Sequence, residues 1–116
     1  MILNYLPVDR EQIFNRPEKF IIDIEQTLYQ INVSYNNHDK SFYSSMYLDE
    51  NKKPLIEGRK IVYGQNLLEN IIDDDLPEDV NIIVVNTAED LEEDEVTKDN
   101  FMKEVKPYIL VGDGNG

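Results

Sequence analysis

The sequence predicts a mainly β fold: a small antiparallel β-sandwich or open barrel of six to seven strands, with at most one or two short helices. Three observations carry that expectation. Apolar residues recur with period two over several segments, and clusters of Asn, Asp, Gly and Pro separate those segments. The 116 residues suffice for one core but not comfortably for two. The organisation that follows is an arm over residues 1–17, a β-rich domain over 18–112 with an acidic loop at 87–99, and a tail at 113–116.

The elements follow in order. In the arm, Leu6-Pro7 and Arg16-Pro17 favour extended backbone, and residues 9–14 suit one helical turn. Its apolar Ile2, Leu3, Tyr5, Leu6, Ile13 and Phe14 are expected to pack on something. Phe20, Ile22 and Ile24 then share one side of a strand, with Asp23 and Glu25 opposite. Tyr29, Ile31, Val33 and Tyr35 alternate with polar neighbours in the cleanest amphipathic strand of the chain. Residues 36–40 supply turn chemistry, because Asn and Asp tolerate left-handed backbone. Phe42, Ser44, Met46 and Leu48 complete a hairpin.

A second turn over residues 49–54 reverses the chain into Leu55-Ile56-Glu57, and Gly58 suggests a bulge before residues 59–63. Gly64 permits a turn, and residues 65–71 read equally as a helical turn or an extended wrap. Residues 80–86, with the continuous apolar run Ile82 to Val85, read as a strand buried on both faces. Thr97 is a candidate cap for a short helix over 98–105, ended by Pro107. Tyr108-Ile109-Leu110-Val111 supplies the last strand.

Charge narrows the function classes. Twenty-four acidic against 11 basic side chains give a net charge of −13. Phosphate binding needs clustered Lys and Arg, so direct nucleic-acid binding is disfavoured, and anionic membranes would repel the chain. Half of the acid lies between Asp73 and Asp99, where Lys98 is the one basic residue. The chain contains no cysteine, which removes disulfides and thiolate metal sites. With no signal-peptide pattern and no apolar run longer than Ile82 to Val85, a soluble chain kept in the cytosol is expected.

No catalytic constellation emerges. His38 is the single histidine and falls in an expected turn, whereas nucleophilic catalysis needs a base held by a third group. A working carboxylate pair needs one carboxyl in an apolar cleft, and these acids cluster where they solvate one another. Asp73-Asp74-Asp75 fails as an EF-hand, since the sixth and twelfth positions hold Glu78 and Val84. Gly112, Gly114 and Gly116 precede no helix that would receive a phosphate. We therefore expect no cofactor, no metal and no enzymatic activity. Tyr43 and Tyr47 should lie opposite Phe42, Met46 and Leu48, so both faces of that strand carry apolar bulk. Either the strand is covered on both sides, or the tyrosines form a contact surface for a partner.

The order of these elements is familiar. It comprises the hairpin of Tyr35-Asn36 and Asp39-Lys40-Ser41-Phe42-Tyr43, the segment from Pro54-Leu55 through Gly58 and Ile61-Val62 to Gly64-Gln65 and Leu67-Leu68, and an acidic loop before Tyr108 and Leu110. These residues resemble the bacteriophage baseplate plug family of small tail proteins over residues 18–112. The resemblance implies a structural protein of the virion, assembled in the host cytoplasm, that associates with the baseplate hub and tail-tube proteins as a homo-oligomer and helps close the tube. Candidate partner contacts are Tyr43, Tyr47, Asp90, Glu92, Glu93, Asp94 and Glu95, with the acidic span 87–99 expected either to stay mobile or to meet Lys and Arg of a partner. The competing reading is an acidic DNA-mimic inhibitor, although a mimic needs carboxylates spaced over a rigid face; a carboxylate hydrolase and an unrelated ligand-binding barrel come behind it.

Overall fold

A computed structural model describes residues 2–69, 71, 75–76, 80–85, 95–103 and 105–111. Seven strands appear in chain order: β1 (Ile2–Tyr5), β2 (Glu18–Ile24), β3 (Thr27–Asn36), β4 (Ser41–Leu48), β5 (Pro54–Lys60), β6 (Val80–Val85) and β7 (Lys106–Val111). Among the described residues they form two open antiparallel sheets, one ordered β2-β3-β4-β5 and the other β1-β7-β6, and no closed barrel. The expected β-sandwich and its strand number are met.

The four-stranded sheet follows the period-two pattern. Strand β2 pairs with β3 at all seven of its positions, and β3 pairs with β4 without a break from Tyr29↔Leu48 to Asn36↔Ser41. One face buries Ile24, Tyr29, Ile31, Val33, Phe42 and Met46. The β4–β5 ladder shifts register on both sides of Met46, where Gly58 has φ +61° and donates its N–H to Ser45 Oγ at 2.8 Å. The expected bulge is there, with glycine supplying left-handed backbone that other residues adopt at a cost.

The second sheet closes the core from the other side. Val80, Ile82 and Val84 of β6 and Pro107 and Ile109 of β7 are buried, in one cluster with the inner face of the first sheet. The outer residues of β6 are less enclosed: Asn81 is exposed, and Ile83 and Val85 are half-buried. Strand β6 is thus fully buried on one face rather than two. The apolar arm packs here: β1 pairs with β7, Leu6 N–H donates to Pro107 O at 3.0 Å, and Leu6, Val8 and Ile13 enter the core. Residues 9–13 make one helical turn, in which Asp9 Oδ1 accepts the N–H groups of Glu11 and Gln12 as an N-cap does.

The helix expected over 98–105 does not form. Phe101 N–H donates to Thr97 O at 3.0 Å, and Asn100 N–H to Thr97 Oγ1 at 3.2 Å, which completes one turn. Met102 then adopts φ +67°, ending it, and Met102 N–H is drawn to Val105 O at 2.7 Å. Asn100 competes with helix propagation: its buried amide accepts from Thr97 N–H and donates to Glu95 O. Residues 65–69 resolve as turns plus the antiparallel bridge Asn66↔Ile83.

Candidate functional site

The β4 pattern alternates between buried Phe42, Ser44, Met46 and Leu48 and half-buried Ser41, Tyr43, Ser45 and Tyr47. Residues directly opposite in an antiparallel sheet share a face. The outer face therefore carries Ile21, Gln30, Tyr47 and Pro54 in one row, and Ser34, Tyr43 and Lys60 in another. Tyr43 and Tyr47 are separated by about 13 Å at the usual strand rise. Ile21 and Leu28 are 50% and 47% exposed. Between Ile21 and Tyr47, Gln30 is buried although it faces away from the core. Its amide donates to Asn32 Oδ1 at 3.2 Å and accepts from Lys52 Nζ at 3.3 Å, and Lys52 also pairs with Asp49 at 2.8 Å. That network orders the centre of the face beside Tyr47.

Tyr43 donates its phenol proton to Asp39 Oδ2. This bond, which requires the neutral phenol, is the main reason its pKa lies above the ordinary 10.0; desolvation and the Asp39 charge add to it. The hydroxyl is thus a neutral donor throughout the physiological range. Tyr29 has a raised pKa for another reason, burial first, and its hydroxyl donates to Asp75 O at 2.8 Å. Asp75 also pairs with Lys53 at 2.8 Å, which fastens residue 75 to the end of the β4–β5 turn.

A cleft of about 290 Å³ opens near Tyr43, at the end of β5, lined by Ser41, residues 60–63, Glu95 and Val96. Apolar Ile61, Val62 and Val96 line it together with Lys60 and Glu95, residues of opposite charge. Val62 is 43% exposed. Such a lining suits a short apolar segment flanked by charge, and its oppositely charged groups can orient that segment.

Of the sequence-predicted contacts, the structure thus brings Tyr43 near the cleft that Glu95 lines, with Tyr47 farther along the same strand face. Asp90, Glu92, Glu93 and Asp94, with most of the acidic loop, lie outside the described residues. Among the described residues, no group of three or more His, Asp or Glu side chains is placed to hold a metal. His38 is exposed in the β3–β4 turn, its N–H donating to Asn36 Oδ1. The sequence reading missed the exposed Ile21, Leu28 and Val62. Their signal was present in Ile21, which breaks the polar alternation of its strand. It also missed the half-buried aromatic pair on the outer face of the second sheet, Tyr5 and Tyr108, whose rings meet edge-on at 5.9 Å with Lys106 Nζ 4.5 Å from the centroid of Tyr5.

A family model described as Cyanophage baseplate Pam3 plug gp18 matches residues 3–112. No curated protein matches the chain.

Proposed function

Because the chain belongs to the cyanophage baseplate Pam3 plug family, a structural component of the phage tail baseplate, we propose that it works by contact with the hub and helps close the tail tube. The family match carries this reading, since it spans both sheets and nearly the whole chain. The outer face around Tyr43 and Tyr47 and the cleft beside Lys60 are the contact surface in this account. Tyrosine suits such a surface because it buries a large area at small entropic cost while its hydroxyl stays satisfied. The acidic span through Asp90, Glu92, Glu93, Asp94 and Glu95 is proposed to face Lys and Arg of a hub or tube protein, since identical acidic loops brought together would repel. Assembly in the host cytoplasm and a role without catalysis complete the proposal.

The test is co-expression with the hub and tube proteins of the same phage, followed by affinity capture. The proposal expects stoichiometric capture of the hub, weakened by Tyr43→Ala with Tyr47→Ala, and tails that fail to retain DNA when the protein is removed. Tails that assemble and hold DNA normally without it contradict tube closure.

A further inference from the structure

Strand edges in native proteins are shortened, bulged, covered or charged, because unpaired backbone groups recruit other strands. Three of the four sheet edges here are shortened, bulged or covered. Strand β1 has four residues and a register shift. Strand β5 carries Pro54 and the Gly58 bulge. The outer edge of β6 is covered by residues 64–67, with Gly64 N–H donating to Val84 O, Leu67 N–H to Ile82 O, and Ile82 N–H to Asn66 Oδ1. Strand β2 differs: seven residues in unbroken register, with no proline, glycine or bulge, and no strand on its outer side among the described residues.

The hairpin geometry says which groups it offers. Glu25 and Gln26 both have positive φ, 52° and 72°, in the two-residue turn that joins β2 to β3. In such a turn the flanking residues, Ile24 and Thr27, close a hydrogen-bonded pair. Alternation then directs the N–H and C=O of Lys19, Ile21 and Asp23 to the free edge. Their side chains share the outer face.

We propose that β2 pairs antiparallel with β2 of a second copy about a two-fold axis at Ile21, joining two four-stranded sheets into one of eight strands. The charge pattern argues for this occupant. Read against itself, the strand sets Lys19 opposite Asp23 of the partner subunit and Asp23 opposite the partner's Lys19, with Ile21 facing its counterpart between the two ion pairs. On the core side, half-buried Phe20 meets the partner's Ile22. Moving the axis by one residue puts Lys19 opposite Ile21 or Glu25, so the pattern specifies one register. The charges that would discourage arbitrary strands therefore select this one, and the closed two-fold contact leaves no edge of this sheet for further addition by β2. The inference rests on the sheet edge and is independent of any role in the baseplate.

Sedimentation velocity on the full chain between about 1 µM and about 1 mM reads the association directly. The wild type should show a reversible monomer–dimer equilibrium. Lys19→Asp sets four aspartates across the axis and Asp23→Lys four lysines, so each alone should self-associate about tenfold more weakly or worse, from reversing two cross-strand pairs. Mixed in equal amounts, the two variants restore both pairs and should associate at least as tightly as wild type. Asp23 Oδ1 also accepts Gln26 N–H at 2.9 Å, so far-UV circular dichroism accompanies that variant. Ile21→Lys, at a half-exposed position, gives a second disruption independent of that turn. A wild type that stays monomeric over the range, a dimer indifferent to Lys19→Asp and Ile21→Lys, or a mixture no tighter than its folded components overturns the proposal.

Discussion

The two sheets are assembled differently. The four-stranded sheet is consecutive in sequence, with short turns and ladders that run unbroken through β2, β3 and β4. The three-stranded sheet brings β1 against β7 from opposite ends of the chain, and its edge at β6 is fastened by residues 64–67, through backbone bonds and the Asn66 side chain, rather than by a further strand. Arg10 Nη1 donates to Lys98 O at 3.0 Å, while Asn66 and Asn100 satisfy backbone groups that no ladder reaches. Local pairing builds the first sheet; a few polar anchors and the shared core hold the second against it.

Where the sheets share their core, the largest effect is expected. Phe42 is fully buried, 4.2 Å from the ring of Phe101 and in a cluster with Phe14 and Tyr35. Phe42→Ala should cost about 3–5 kcal/mol in urea unfolding, through lost contacts and a cavity. Asn66→Ala should cost about 1–3 kcal/mol, because it orphans the N–H groups of Leu68 and Ile82. Amide exchange at Ile82 should then quicken more than exchange at Ile31. Equal acceleration in both sheets would erase the distinction between them.

Tyr29→Phe keeps the packing and removes one hydrogen bond, for about 1 kcal/mol. It also sharpens a pH argument. The Tyr29 pKa is raised in the fold, chiefly by burial, so on raising the pH the unfolded chain loses this proton first. The stability that the neutral phenol contributes is present below pH 10 and is lost as the pH rises through the folded value. Urea midpoints above pH 10 should fall less steeply in Tyr29→Phe than in wild type. The smallest effect on folding belongs to the outer face: Tyr47→Ala should stay within about 1 kcal/mol of wild type, while capture by the hub is weakened.

The same contrast decides what was legible in the sequence. Period two is a local signal, so the β3–β4 hairpin and the Gly58 bulge could be read directly. The turns were only partly readable. In the β3–β4 and β4–β5 turns the left-handed residues are Lys40 and Lys52, φ 57° and 59°, while Asn36, Asp39 and Asn51 contribute side-chain acceptors instead. The Glu25–Gln26 turn has neither Gly nor Asn; Asp23 Oδ1 supports it, and no composition rule flags it. The helix expected over 98–105 failed because Asn100 is buried where it satisfies Glu95 and Thr97, a tertiary circumstance invisible to local propensity. For the candidate site, the outward placement of Tyr43 and Tyr47 followed from alternation. The cleft did not, since it joins residues 60–63 to Glu95 and Val96 across a long stretch of chain.

Cryo-electron microscopy of the assembled tail would show where this chain sits and what its outer sheet face touches. This chain should stand at the baseplate hub, closing the tube, with Tyr43 and Tyr47 buried against a neighbouring protein. A baseplate that lacks the chain, or one in which that sheet face looks into solvent while another surface makes the contacts, would contradict it.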